Sequence, residues 1–285
     1  MKSILFVIIL SFGFNLNAQQ AWTQKKGEGY FQIGSSFLSY SELHNLTSDA
    51  IELPRPITEL IISSYLEYGI SDNLTASFIL PFHIVSSGNL VSDWSSFSPE
   101  QGDLSALGNM NLGLTYKVSQ INNIVVSSKL AIGINSSKYE QSTGLRTGYD
   151  AYTISSSILA GLGTSTYFAS AETGINFLTD GYLHRFIFNA QIGKHFLQSK
   201  KLLFIFSVLT STALGSSSAD DILKLDGNSR FTGLYVNEES YYAINLKLGY
   251  NLTKDWTIWS SIAGGMAKNI GRNALYSLSI GYNLK

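Results

Sequence analysis

Four histidines are the residues of this chain with the widest chemical capacity, because histidine can act as a base or bind a metal ion. They are His44, His83, His184 and His195, and no two stand at a helical metal-ligand spacing. The absence of cysteine excludes thiolate catalysis, disulfides and cysteine-based metal sites. We therefore predict no metal site and no cofactor. We interpret the histidines as isolated polar or interfacial side chains, with His44 and His83 in loops or at strand ends.

A barrel-shaped lipid hydrolase is the enzyme class that these histidines leave open. Such an enzyme needs a serine and a histidine within hydrogen-bond reach, oriented by a third group. No histidine here is followed closely by a serine and glycine pattern of that kind. Gly161-Leu162-Gly163 is expected to belong to a turn and not to a phosphate-binding loop, since no lysine follows and no helical pattern begins. We predict no catalytic residue and keep hydrolysis as the third functional hypothesis.

A second set of polar residues interrupts apolar segments at every other position. Period-2 alternation places these side chains together on one face of the predicted strands. The set comprises Glu59, Glu67, Lys129, Glu172, Arg185, Gln191 and Lys247. If the strands surround an interior space, these residues are the candidates to line it. There they either orient a polar solute or neutralise one another without any ligand.

Two pairings are expected within this set. Glu172 and Arg185 lie on consecutive predicted strands joined by a short turn, so we expect them to face each other across the sheet. Glu59 and Glu67 share one strand, where they favour cations weakly or pair with lysines of the same set.

The elements that must position these residues are β-strands. Residues 65–82, YLEYGISDNLTASFILPF, alternate apolar and polar side chains, turn over at 71–73 and resume the alternation. The pattern recurs to the C-terminus and predicts twelve strands. Short turns, such as 118–123, alternate with longer connections, such as 83–103 and 214–240. An even number of strands with short and long connections on opposite sides is typical of an up-and-down barrel with both chain ends in the periplasm.

The apolar face of each strand is expected to point outward, into a membrane. The presumed inward faces carry the charged set, whereas the outward faces carry almost no charge. The strands run roughly 10 residues, which suits a tilted membrane crossing. Aromatic residues cluster at strand ends, as in the girdles of membrane barrels. They are Tyr68, Phe82, Tyr116, Tyr152, Tyr167, Phe177, Tyr242, Tyr250, Trp256 and Tyr282. The alternative is a secreted or periplasmic β-sandwich that buries its apolar face.

Composition agrees with an exported membrane barrel. Charged residues make up 14% of the chain, against roughly 25% in average domains. Residues 1–18 carry a positive charge at Lys2, an apolar run and a small residue at Ala18, so we predict a signal peptide cleaved after Ala18, with 19–285 as the barrel domain. No later segment offers the roughly 18 consecutive apolar residues of a membrane helix. The net charge of −1 gives no reason to expect nucleic acid as a partner.

The positions of the prolines agree with a barrel, whereas the C-terminal residue differs from the aromatic residue that ends many outer-membrane barrels. The four prolines, at positions 54, 56, 81 and 99, are expected in loops or at a strand edge, where no ladder hydrogen bond is lost. Many outer-membrane barrels end on an aromatic residue that the insertion machinery reads, but this chain ends on Lys285. The last strand keeps its alternation, so the barrel-insertion machinery remains an expected partner.

Residues from about 60 to 120 resemble a known family. They contain the turn from Tyr68 to Asp72, then Pro81-Phe82 at a strand end, a Gly102-Asp103 pair, and a strand that ends Tyr116-Lys117. In this order the motifs resemble the outer-membrane barrels named for the MetA pathway of phenol degradation. The opening AWTQKKGEGYFQIG is similar to the mature N-terminus of barrels from the Bacteroidetes group. The resemblance implies a barrel in the broad company of fatty-acid and aromatic-hydrocarbon channels.

We therefore predict an all-β protein: a single transmembrane antiparallel up-and-down barrel of about twelve strands. It is expected in the outer membrane of a Gram-negative bacterium, in contact with outer-membrane lipid. The leading hypothesis is passage of a small solute, hydrophobic or aromatic as the resemblance implies. The alternative is a structural or adhesive barrel whose outer loops bind a ligand. Because twelve strands lie between barrels filled by side chains and open porins of about 16 to 18 strands, we expect at most a narrow path.

Overall fold

A computed structural model describes residues 21–44, 50–92, 98–196, 201–216 and 232–285. The predicted signal peptide, residues 1–18, lies outside these ranges, as does most of the predicted loop 214–240. Within them, no helix has the length and apolar character needed to cross a membrane.

The described residues form fifteen strands, twelve of which close into a barrel. The strands are β1 (Gly29–Leu43), β2 (Ile51–Ser71), β3 (Leu74–Ser87), β4 (Asp103–Leu107), β5 (Met110–Ile121), β6 (Ile124–Ile134), β7 (Tyr139–Glu140), β8 (Leu145–Arg146), β9 (Thr153–Gly163), β10 (Tyr167–Leu178), β11 (Arg185–Phe196), β12 (Leu202–Ala213), β13 (Ser240–Asn251), β14 (Trp256–Lys268) and β15 (Leu275–Leu284). All except β4, β7 and β8 form one antiparallel ring that is closed by pairing of β1 with β15. The prediction of a twelve-stranded antiparallel barrel is confirmed.

The two ends of the barrel are distinguished by the chain termini. Gly29, at the start of β1, pairs with Leu284, at the end of β15. Both termini therefore leave the barrel at one end, which we call the periplasmic end. The longer connections lie at the opposite end, which we call the outer end.

The outward surface of the barrel is apolar on every side. Leu66, Leu112 and Leu246 are 37%, 47% and 39% exposed, and Tyr68 and Tyr242 are each 49% exposed. A soluble sandwich would bury such residues between its sheets. A continuous apolar surface of this extent is typical of a barrel surrounded by lipid. The predicted orientation is confirmed, and the sandwich alternative is wrong.

The barrel wall contains a break that corrects the prediction for proline. Pro81 lies inside β3, where the neighbouring strand changes from β5 to β4. Its carbonyl accepts a hydrogen bond from Gly108, one of the two residues between these strands. The amide and carbonyl of one strand residue point to the same side of the strand. The N–H that proline lacks would therefore also face the break, where the wall has no neighbouring strand to pair with it. The prolines at 54 and 56 likewise lie within a strand, β2.

The outer part of the interior is a packed apolar core and not an open lumen. Strands β1 to β3 are longer than the roughly 10 residues predicted for a strand, and β2 alone spans 21 residues. Their inward side chains Leu38, Ile57 and Val85 are fully buried together with Leu145 and Leu234 from the outer connections. Burial of this apolar surface is what holds the extended strands in place. The charged set suggested a polar interior. Within the structure, the polar part of the interior is limited to the middle of the barrel.

A charge placed on the outward face should destabilise the barrel according to its depth. Leu246 lies mid-strand between the outward residues Tyr242 and Tyr250, and we expect Leu246→Arg to lower the unfolding free energy by about 3 kcal/mol, because an arginine at mid-membrane loses its hydration. Thr212→Arg, at the outer end of β12, is the control and should cost about 1 kcal/mol or less. Urea unfolding in phospholipid vesicles measures both, and equal losses would contradict the orientation.

Candidate functional site

The middle of the barrel holds a cavity of about 410 Å³, which we call the chamber. It is lined by inward side chains of β2, β3, β5, β6 and β9 to β13, and by residues 147–149 and Tyr235 from the outer connections. Most of these side chains carry a hydroxyl, amide or charged group. A concave cavity of this size with convergent polar groups is a candidate small-molecule site.

The interior contains all seven residues of the predicted polar set. Glu67, Lys129, Glu172 and Arg185 line the chamber. Glu59, Gln191 and Lys247 are buried elsewhere, with at most 4% of each residue exposed. The Gln191 amide donates a hydrogen bond to Ser170 at 3.0 Å, and the Lys247 ammonium lies 4.3 Å from the ring centroid of Trp259.

The expected contact between Glu172 and Arg185 is wrong. Their strands are adjacent, but Glu172 pairs with Asn189, whereas Arg185 pairs with Asn176 near the end of the ladder. Glu172 instead lies 3.7 Å from the Lys129 ammonium and accepts a hydrogen bond from Ser157 at 2.7 Å. Adjacent strands were correctly inferred, but the register between them was not available from the alternation alone.

Glu59 and His83 form a buried pair in the barrel wall, which corrects the assignment of His83 to a loop or strand end. His83 is 3% exposed, and its Nδ1 lies 2.7 Å from Glu59 Oε1. The Tyr235 hydroxyl donates to the same carboxylate at 3.2 Å. Glu59 therefore takes its partners from a histidine and a tyrosine and not from the predicted lysines. The group contains no serine, so it lacks the nucleophile that the hydrolase hypothesis requires.

Residues 232–239, which we call the crossbar, span the interior near the outer end. At one side Tyr235 contacts Glu59 on β2. At the other, Arg185 on β11 lies 3.4 Å from the Glu239 carboxylate and donates to the carbonyls of Val236 and Asn237. In the closed ring β2 and β11 are six strands apart in either direction. The crossbar is therefore anchored on opposite walls of the barrel.

Tyr149, from the connection between β6 and β9, packs beneath the crossbar. Its ring contacts those of Tyr235 and Tyr182 edge to face, with centroids 5.2 and 5.5 Å apart. Asn109, at the break in the wall, accepts a hydrogen bond from the Tyr149 amide at 2.6 Å and donates to its carbonyl at 2.8 Å. The break beside Pro81 thus provides the amide that positions Tyr149.

The anchor on β11 is a compact polar cluster. The Arg185 guanidinium lies 4.4 Å from the Tyr149 ring centroid and donates to the Tyr149 hydroxyl, which in turn donates to Glu239. The other oxygen of Glu239 accepts a hydrogen bond from the Val236 amide at 2.8 Å. Burial raises the pKa of Glu239 to about 7, against the opposing effect of Arg185. The charge of this anchor therefore changes within the physiological pH range.

Residues 21–25, which we call the N-terminal plug, lie inside the periplasmic end. The Trp22 ring meets Phe168 edge to face at 6.3 Å. It also lies over Gly161, where an added Cβ would come within 2.7 Å of the ring. The Gly161 to Gly163 stretch is the end of β9 and not a turn as predicted, and its missing side chains make room for Trp22.

The turn after β2 holds the plug in place. An added Cβ at Gly69 would stand 2.0 Å from the Lys25 carbonyl oxygen, so the close approach of the two chains requires glycine here. Asp72 accepts a hydrogen bond from the Lys26 amide at 3.0 Å, and its carbonyl accepts one from Thr23 at 2.8 Å. These two residues belong to the turn that carries the family resemblance, which gives the motif a physical role.

The residues that the structure describes include no group of three or more His, Asp or Glu side chains placed to hold a metal ion. The arrangement is suited to confining a solute between two chain segments. Three residues that close the chamber were not among the predicted site residues: Tyr149, Tyr235 and Glu239. They lie in connections between strands, where the sequence gave no sign that they enter the barrel.

Comparisons with known proteins agree with this architecture. No family model matches the chain, and no curated protein matches it. An outer-membrane channel from Pseudomonas putida F1 superposes with a TM-score of 0.70 at 12% identity, over 94% of this chain and 100% of that one. The β-domain of the Bordetella autotransporter BrkA superposes with a TM-score of 0.53 at 11% identity, over 90% and 99%. The chain therefore has the fold of outer-membrane β-barrels.

The Glu59–His83 pair gives a stability prediction. His83→Leu should lower the unfolding free energy by about 3 kcal/mol, because it leaves the Glu59 carboxylate buried without its closest partner. The double variant Glu59→Leu/His83→Leu removes both polar groups and should lose clearly less, about 1 kcal/mol. Urea unfolding of the vesicle-embedded barrel measures both variants. A loss in the double variant that equals or exceeds the single one would show that the pair is not a coupled unit.

Proposed function

We propose that this protein lets a small solute cross the outer membrane by way of the chamber. The observation that carries the proposal is that the barrel is occupied at both ends by segments separate from its wall. The crossbar and the N-terminal plug are held by side-chain and backbone hydrogen bonds, and the crossbar also packs Leu234 into the outer apolar core. Segments held in this way can move without breaking the strand ladder, and the crossbar would carry Leu234 of the outer apolar core with it.

The resemblance to the family named for the MetA pathway of phenol degradation supports the same proposal. Its turn from Tyr68 to Asp72 holds the plug, and its Pro81 lies at the break that positions Tyr149. The similarity in fold to the Pseudomonas putida channel also favours passage. We propose that the chain is a distant relative of this family, placed in the outer membrane by the barrel-insertion machinery and surrounded by its lipid.

A structural barrel is the second candidate function, and the packed apolar core at the outer end favours it. A barrel that only supports outer loops needs no path, and the apolar core at its outer end would then serve stability alone. The two functions differ in whether the closures open. That difference can be measured directly.

Because the two closures lie in series, removing both should have a larger effect than either change alone. Tyr235→Phe with Glu239→Ala removes the crossbar's hydrogen bond to Glu59 and its carboxylate contact with Arg185. Deletion of residues 21–25 removes the plug. We expect the combined variant to raise open probability in planar bilayers by roughly tenfold to a hundredfold, the shift that loss of about 2 kcal/mol of anchoring produces. Each change alone should do much less.

Tyr152→Phe, a change on the outward face, is the matched control and should conduct as the unchanged protein does. Heat-dependent migration in electrophoresis verifies that each variant is folded. A folded combined variant that stays silent would overturn passage and favour the structural function.

The charge of Glu239 gives a pH dependence. Burial raises the pKa of Glu239 to about 7 in the docked crossbar, above its usual value, so the docked state holds the proton more tightly than the released one and docking is favoured as pH falls from 8 to 6. In the chain without residues 21–25, open probability should therefore fall over that interval. Glu239→Gln should abolish the change, which separates this carboxyl from nearby Glu59 and His83. A response that persists in Glu239→Gln would exclude Glu239 as its source.

A further inference from the structure

The chamber also indicates which class of solute it accepts. We propose, on the basis of the proposed passage, that this solute is a small uncharged molecule rich in hydroxyl groups, about the size of one sugar ring. The volume of about 410 Å³ lies at the lower end of the range for small-molecule sites, which favours one ring over an oligomer.

The charges that face the chamber are already engaged with one another. Lys129 lies 3.7 Å from Glu172, and Arg185 lies 3.4 Å from Glu239. The Glu67 carboxylate accepts hydrogen bonds from Tyr65 and from Gln24, the latter at 2.9 Å. An ionic solute would have to break one of these pairs before it found a counter-charge. The chamber therefore disfavours both anions and cations.

Among the chamber-lining residues of β10 and β11, three buried polar atoms make no hydrogen bond to the described protein atoms. They are Asn176 Oδ1, Asn189 Oδ1 and Arg185 Nε. All three residues line the chamber, and Asn176 pairs directly with Arg185 across the two strands. A hydroxyl group can donate to an amide oxygen and accept from a guanidinium N–H, so it matches both kinds of atom.

A hydrocarbon, in contrast, would leave all three atoms unpaired while displacing water from them. Sites built around hydrogen-bonding groups discriminate strongly against analogues that lack the matching group. The rings of Tyr149, Tyr235 and Tyr241 line the outer part of the chamber. They supply apolar faces for the C–H side of a sugar ring together with hydroxyl groups at their edges. The walls therefore suit a molecule that is polar at its edge and apolar on its face.

Solute flux into proteoliposomes tests this inference. The carrier is the folded variant without residues 21–25 and with Tyr235→Phe, which loosens both closures and keeps the Arg185–Glu239 pair. We expect glucose to enter at least about tenfold faster than gluconate or glucosamine, which match it in size but carry a charge. Saturating toluene should not slow glucose entry, because a hydrocarbon does not occupy the chamber.

Wall variants provide the second arm. Asn176→Leu/Asn189→Leu makes the wall apolar at similar volume and should reduce glucose entry by about tenfold. Asn245→Leu is the matched control, since Asn245 is a buried interior asparagine that does not line the chamber. It should leave glucose entry unchanged.

The outcomes separate the two proposals. Faster entry of a charged analogue, block by toluene, or no effect of the double wall variant would overturn the solute class while leaving passage intact. Failure of every solute to enter through the folded, opened barrel would overturn passage and the inferred solute class together.

Discussion

The structure depends on one constraint, which is that lipid offers no hydrogen-bond partner to a peptide group. Every strand that crosses the membrane must therefore be paired on both sides, and pairing of β1 with β15 completes the ring. Closure fixes the direction of all side chains, since alternation then places one set in lipid and the other in a shared interior. Leu246 is consequently outside and Lys247 inside, although they are neighbours in sequence.

The interior created by this closure contains more polar groups than a narrow barrel can leave unpaired. At both ends, these polar groups bind chain segments that enter the barrel. Glu59 and Arg185, on opposite walls, both bind the crossbar, and the Gly69 to Asp72 turn binds the plug. The ring of strands is therefore the permanent part of the molecule, and the two segments are the parts that lie outside its ladder of backbone hydrogen bonds.

Features of the fold and the site that depend on local sequence could be predicted, whereas those that depend on contacts between distant residues could not. Strand alternation is local, so the barrel, its orientation and the inward position of residues such as Glu172 could be inferred from neighbouring residues. Pairing depends on register, and the bond of Glu172 to Lys129 and Ser157 could not be derived without it. Tyr149 and Tyr235 were beyond reach for another reason. They come from connections without periodicity, and only the break at Pro81 and the charges of the wall place them inside.

The central claim is that the chamber is a polar space closed by two movable segments, and thiol accessibility tests it most directly. The chain has no cysteine, so a single Asn189→Cys change reports on the chamber alone. In vesicle-embedded protein we predict slow reaction with a water-soluble maleimide, and fast reaction once residues 21–25 and the two crossbar anchors are removed. Equally fast reaction in the otherwise unchanged barrel would show that the chamber is not closed and would contradict the account.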